Sequence, residues 1–169
     1  AERLAEAPPE LVRWVEHRVD GVRDFYQRRV LLFLSTGDLT ALRELALPPT
    51  DVAVVTDIGC VGLADDQFAG PHTVHTTHGR STAFAAGIAL ADAVLGSGRL
   101  KTVVLVGDGG AMIGINHLVG TALLNPDVTV VIHDNFLFGM TGGQHSAFSP
   151  MEFVTATTRA PWSAAHAAV

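Results

Sequence analysis

The stretch that decides the fold runs from Lys101-Thr-Val-Val-Leu-Val-Gly107-Asp-Gly-Gly110 to Asp127-Val-Thr-Val-Val-Ile-His133-Asp-Asn135. Two short β-branched runs, each closed by a carboxylate or amide, flank Ile115–Leu124, which has the composition of a helix and is stopped by Asn125-Pro126. A run of the same kind, Asp51-Val-Ala-Val-Val-Thr56, lies upstream and ends at Asp57-Ile-Gly-Cys60. Between it and Lys101 lies Gly79–Leu95, Ala-rich and apolar nearly all round, which reads as a buried helix stopped by Gly96-Ser-Gly98. Residues 61–78, rich in Gly, His and Thr, read as a long loop, and so does the stretch from Phe136 onward. Strands that are apolar throughout and alternate with helices indicate an α/β domain with a doubly wound, mostly parallel sheet.

Upstream, Leu11, Trp14, Val15, Val19, Val22 and Tyr26 recur at helical spacing, and Asp38 is placed to cap a short helix, Leu39–Leu47, before Pro48-Pro49. The expected organisation is one domain over 1–169: a helical segment at 1–48, an α/β core at 49–150 and a tail at 151–169 that reads as truncated. The start at Ala1 and the small apolar run Ala164–Val169 read the same way. The 169 residues are 48% hydrophobic and 17% charged, which excludes a disordered chain and leaves room for surface buried against partners. A net charge of −6 argues against a general nucleic-acid surface. No secretory signal or long uncharged apolar run stands out, so the expectation is a cytoplasmic chain without membrane spans. One cysteine rules out an internal disulfide, and also a zinc or iron–sulfur site made only of this sequence's thiolates.

In an open parallel sheet, ligands bind beyond the carboxyl ends of the strands. A crossover through the 115–124 helix sets Asp108 and Asn135 at the same sheet edge, one offering a carboxylate and the other an amide oxygen. Such hard oxygen donors, with few carboxylates, suit a magnesium ion that completes its shell with phosphate oxygens and water. Gly107 and Gly109 allow the backbone to approach a diphosphate, and a helix starting near Gly114 is expected to aim its amides the same way. Taken alone, Asp108 is an ordinary helix cap and Asn135 an ordinary turn residue. A plain nucleotide-binding module fits less well, because no Gly-x-Gly-x-x-Gly follows the first strand.

Gly107-Asp108-Gly109 followed by Asp134-Asn135, with Asp134 25 positions beyond Gly109, resembles the thiamine diphosphate motif. Phe138-Gly-Met-Thr-Gly-Gly-Gln-His-Ser146, Asp57-Ile-Gly-Cys60 and Thr77-His-Gly-Arg80 resemble, in order, segments of the β subunits of 2-oxoacid:ferredoxin oxidoreductases. The resemblance covers roughly residues 50–150 and implies a diphosphate-type thiamine diphosphate-binding domain. It implies that Asp108, Asn135 and the carbonyl of Leu137 hold Mg²⁺. Asp57, Gly59, Cys60, His78, Gly107, Gly109, Gly110, Gly139, Met140 and Thr141 would join them around the cofactor, with His78, Arg80 and Cys60 in catalytic roles.

The implied reaction is oxidative decarboxylation of a 2-oxoacid to an acyl-CoA, with coenzyme A as acceptor and electrons passing to iron–sulfur clusters. The implied partners are an α-type subunit, carrying the pyrimidine-binding domain and its activating glutamate, and ferredoxin or another electron-transfer subunit. One departure stands out. Leu32-Phe33-Leu34-Ser35-Thr36-Gly37-Asp38 aligns with a Trp-Cys-x-Gly-Cys-Gly-Asp segment, so Phe33 and Thr36 stand where the family has cysteines. That places any cluster in a partner, and it keeps open a non-redox decarboxylase or lyase. Cys60 alone reads equally as a small buried hydrophobe. His72 and His75 read as solvated or hydrogen-bonded histidines rather than metal ligands.

Overall fold

The computed structural model describes residues 40, 44–155 and 157. The Trp14 helix, part of the Leu39–Leu47 helix, the Phe33/Thr36 segment and most of the 151–169 tail therefore lie outside the described residues. Four parallel strands form the sheet: β1 (Val52–Thr56), β2 (His72–His75), β3 (Lys101–Gly107) and β4 (Val128–His133), in the order β2-β1-β3-β4. The helices described in full are α1 (Ser81–Leu95), α2 (Asp108–Ile113) and α3 (Ile115–Leu124).

Alternate residues of a strand face opposite sides of the sheet, and the two cores divide accordingly. Val52, Val54 and Leu105 pack with Val61, Ala64 and Phe68 from the 3₁₀ segment Val61–Gln67 and the residue that follows it. Val55, Val104 and Val106 pack with Ala85 of α1 and Ala111 of α2 on the other side. Both faces are covered, which explains why every residue of β1 is buried and why its sequence shows no polar alternation.

Three local readings change. Residues 61–78 are not one loop: they hold the 3₁₀ segment and strand β2. β2 is an edge strand with three of its four residues exposed, so it lacks the apolar run that marks its neighbours. The helix expected from near Gly114 is present as α3, capped by Gly114, but an unexpected helix, α2, precedes it from Asp108 and breaks at Gly114. The break has a packing cause: a Cβ on Gly114 would lie 2.1 Å from the carbonyl oxygen of Gly79, and Gly79 itself sits at φ +68°. Finally, α1 is buried on one side only, with Phe84, Val94 and Leu95 exposed among the described residues.

At the other end of α3, Asn125 adopts the left-handed conformation (φ 49°) and donates its amide to Thr121, and Pro126 follows. Beyond β4 a small antiparallel hairpin, β5 (Leu137–Phe138) and β6 (Gln144–His145), replaces the expected loop. Among the described residues, no helix is long and apolar enough to cross a membrane.

Candidate active site

From β1 the chain crosses to β2 on one side, and from β3 it crosses to β4 on the other. The carboxyl ends of β1 and β3 therefore flank the switch in strand order, where an open α/β sheet forms its crevice. β3 and β4 end in register, with Gly107 opposite His133, so Asp108 and Asp134-Asn135 leave the sheet side by side. A cavity of about 340 Å³ lies at this edge. Of the residues marked by the sequence, Gly59, Cys60, His78, Gly107, Asp108, Gly109, Gly110, Asn135, Leu137, Gly139, Met140 and Thr141 line it. Ile58, Val61, His133 and Phe138 complete the wall. Each adjoins a marked residue or strand end, and that adjacency is the signal by which they could have been found.

Asp57 and Arg80 lie outside this lining. Arg80 is exposed and precedes the first turn of α1 without a side-chain cap bond. Asp57 is 1% exposed and works from beneath: its Oδ2 accepts the amide of Gly79 at 2.9 Å and thereby fixes the residue after His78. Burial pushes the Asp57 carboxyl above the usual carboxylate range, against the opposing pull of the Gly79 amide and the nearby His78 and His75. Gly110 is required above it, since a Cβ there would meet Asp57 Oδ2 at 2.5 Å.

Among the described residues, the buried Nδ1 of His78 has no hydrogen-bond partner. His75, by contrast, is engaged: its Nδ1 lies 3.0 Å from both Asp65 Oδ2 and the Thr56 hydroxyl, tying the 3₁₀ segment to β2. His72 Nε2 lies 3.2 Å from the carbonyl of Thr50. Among the described residues no three His, Cys, Asp or Glu side chains cluster as a metal site.

Asp108 is 2% exposed and accepts a hydrogen bond from Ser146, a residue the sequence reading left without a role. Asn135 Oδ1 accepts the amide of Leu137 at 3.2 Å, and Asp134 Oδ1 accepts that of Phe136 at 3.0 Å. The donor set of one buried carboxylate, one amide oxygen and one main-chain carbonyl suits a small hard cation that draws its remaining ligands from phosphate and water. A Cβ on Gly107 would meet nothing within 4 Å, so bare backbone faces open space at the cavity wall. On the far side a Cβ on Gly109 would strike the Phe138 ring at 2.3 Å. A wall of this kind could hold a compact anion close to main chain beside a small cation.

A family model decides the affiliation: residues 57–168 match thiamine pyrophosphate enzyme, C-terminal TPP binding domain. The chain belongs to that family. The match begins at Asp57 and takes in every residue of the cavity wall. The subunit KorB of 2-oxoglutarate synthase from Archaeoglobus fulgidus is 45% identical over 106 residues, covering 62% of this chain and 38% of its own. The β subunit of 2-oxoacid:ferredoxin oxidoreductase from Saccharolobus solfataricus is 41% identical over 113 residues, covering 66% of this chain and 35% of its own. The TPP-binding chain thus spans between about a third and two fifths of the length of the curated relatives it matches. Among solved structures, the 2-oxoglutarate:ferredoxin oxidoreductase from Magnetococcus marinus, with 2-oxoglutarate, coenzyme A and succinyl-CoA bound, superposes with a TM-score of 0.69. Its sequence is 32% identical, and the match covers 78% of this chain and 43% of that one.

Proposed function

We propose that this chain is the magnesium- and thiamine diphosphate-binding subunit of a cytoplasmic, heteromeric 2-oxoacid oxidoreductase that converts a 2-oxoacid and coenzyme A into an acyl-CoA. The observation that carries the reading is the meeting of Asp108, Asn135 and Leu137 with the Gly59-Cys60 turn and His78 around one cavity at the switch in strand order. Similarity to β subunits of enzymes named for this chemistry supports it.

Asp108, Asn135 and the Leu137 carbonyl would hold Mg²⁺ against the diphosphate, and the bare backbone at Gly107 would admit its oxygens. When bound, thiamine diphosphate supplies the carbon nucleophile that makes decarboxylation of a 2-oxoacid feasible. The protein's part is placement and electrostatics. The half-buried His78 carries an unpaired ring nitrogen on the wall, suited to hold or relay a proton at a substrate oxygen. Cys60 and Met140, with Ile58 and Val61, bring apolar and thiol surface to the wall. Arg80, exposed at the start of α1, is placed to meet a substrate carboxylate or a partner from outside the wall.

The remaining parts of the reaction fall to partners. An α-type subunit would supply the pyrimidine-binding domain and the activating glutamate. The 169 residues contain a single cysteine, so a thiolate-bound cluster would be held by cysteines outside this sequence, and electrons would leave through that cluster or a flavin. One observation favours a second reading, a non-redox decarboxylase or lyase: Phe33 and Thr36 stand at the positions of cluster cysteines. The purified complex, given a panel of 2-oxoacids with and without coenzyme A, separates the two. Dye reduction that matches CO₂ release and requires coenzyme A supports the oxidoreductase. CO₂ without reducing equivalents establishes the non-redox enzyme, and neither product from any oxoacid overturns both.

A further inference from the structure

We infer that Ser146 and Ser149 form a positioning clamp that presets the cation site, an inference that rests on the magnesium–thiamine diphosphate reading above. Both side chains are buried, at 2% and 6% exposure. The Ser146 hydroxyl accepts the Phe148 amide at 3.2 Å and donates its one proton to Asp108 Oδ2. The Ser149 hydroxyl accepts the Ser146 amide at 2.9 Å and donates its proton to the carbonyl of Phe136. The Ser149 amide closes the turn on the Ser146 carbonyl at 3.1 Å. Each hydroxyl thus has its donor and an acceptor site fully committed, and neither can swing away without abandoning a buried partner.

The two acceptors are the point of the arrangement. Asp108 stands at the end of β3, and Phe136 lies between Asn135 and Leu137 beyond β4, so a single turn holds both halves of the donor set. Phe136 also sits at φ +66°, a left-handed conformation that is unfavourable for a residue with a Cβ. Its peptide neighbours are held from both sides: Asp134 takes its amide and Ser149 holds its carbonyl. Release of the carbonyl removes one of the two restraints on that conformation, and with it the fixed placement of Asn135 Oδ1 and the Leu137 carbonyl. Release of Asp108 Oδ2 frees the carboxylate to rotate away from the cation. Groups that orient a metal ligand act in this way without touching the metal.

The test is thiamine diphosphate binding by the native complex, followed calorimetrically across a series of MgCl₂ concentrations, with the melting temperature of the cofactor-free protein measured alongside. Ser146→Ala and Ser149→Ala are each compared with the parent and with Asp108→Ala. The expected result is a roughly 10- to 100-fold rise in half-saturating Mg²⁺ for each serine variant, with near-parental cofactor affinity restored at saturating Mg²⁺. If Asp108→Ala loses magnesium-dependent binding while both serine variants keep the parental dependence, the clamp is wrong and the cofactor reading stands. If Asp108→Ala itself binds like the parent, the cofactor reading fails and takes the clamp with it. Serine variants that melt early and bind less cofactor at every Mg²⁺ concentration, with the half-saturating value unmoved, would make both serines purely structural and overturn the inference.

Discussion

Gly114→Ala isolates the contact that brings the His78 segment to the sheet edge. Gly114 has φ −100° and ψ 22°, which alanine can adopt, so the effect of the new methyl is one of packing. Its Cβ would lie 2.1 Å from the Gly79 carbonyl oxygen and 2.7 Å from that residue's carbonyl carbon and Cα. Ordinary contact begins at 3.4 Å, so the two backbones must part by about 1.3 Å. Neither surface can rotate aside, because both are main chain. Overpacking of this kind costs about 3 kcal/mol, the upper end of the usual range, and for a domain of this size that lowers the melting temperature by about 6–12 °C.

The displacement also pulls the Gly79 amide from the buried Asp57 carboxylate, now 2.9 Å away, and moves the adjoining His78 out of the cavity wall. Thiamine diphosphate affinity, measured calorimetrically with Mg²⁺ present, is therefore expected to fall at least tenfold, or about 1.4 kcal/mol. A melting temperature within about 2 °C of the parent, with unchanged affinity, would refute the argument that this contact sets the site.

Asp57→Asn keeps an oxygen for the Gly79 amide but removes the buried charge. Because the folded carboxyl titrates above its ordinary value of 3.8, its contribution to stability is present below that value and is lost as pH rises through the folded one. The variant should therefore lose less stability than the parent as pH rises across that window; parallel denaturation curves at pH 4 and pH 7 would contradict this. Gly109→Ala is expected to displace the Phe138 ring, 2.3 Å from the new Cβ, and to weaken cofactor binding roughly tenfold with a smaller loss of stability than Gly114→Ala, because a ring yields where backbone does not. Asn135→Ala should raise the Mg²⁺ requirement for cofactor binding by roughly 10- to 100-fold without lowering the melting temperature by more than about 2–4 °C, since Asn135 is exposed and, among the described residues, its side chain bonds the Leu137 amide; titration against MgCl₂ reads the first and a melting curve the second.

What could be read from residues alone followed burial. β1, β3 and β4 announced themselves because β1 is buried throughout, β3 is buried at four of its seven residues, and the half-buried β4 keeps the same Val/Ile composition. His72–His75 did not, since an exposed edge strand carries no apolar pattern and its identity comes from register with Ala53–Thr56. Helix α2 was not read, because its Asp-Gly-Gly opening carries no helical pattern and the packing of Gly79 on Gly114 that divides it from α3 comes from 35 positions earlier in the chain. The site showed a comparable division. Asp108 and Asn135 lie at strand ends whose pairing the crossover dictates, so their meeting could be anticipated. Ser146 reaches Asp108 across 38 positions through one hydroxyl, and nothing in the local sequence marks that bond. The apolar character of α1 was legible, but Phe84, Val94 and Leu95 remain exposed among the described residues, so composition fixed the helix without fixing what covers it.

The most direct test of the central claim is an anomalous-scattering map from crystals of the complex grown with thiamine diphosphate and Mn²⁺ in place of Mg²⁺. The account predicts one strong peak in the cavity, within about 2.0–2.3 Å of an Asp108 carboxylate oxygen, the Asn135 amide oxygen and the Leu137 carbonyl, with diphosphate oxygens completing the shell. A diphosphate bound elsewhere, or an ion in the cavity that does not touch Asp108, would contradict it.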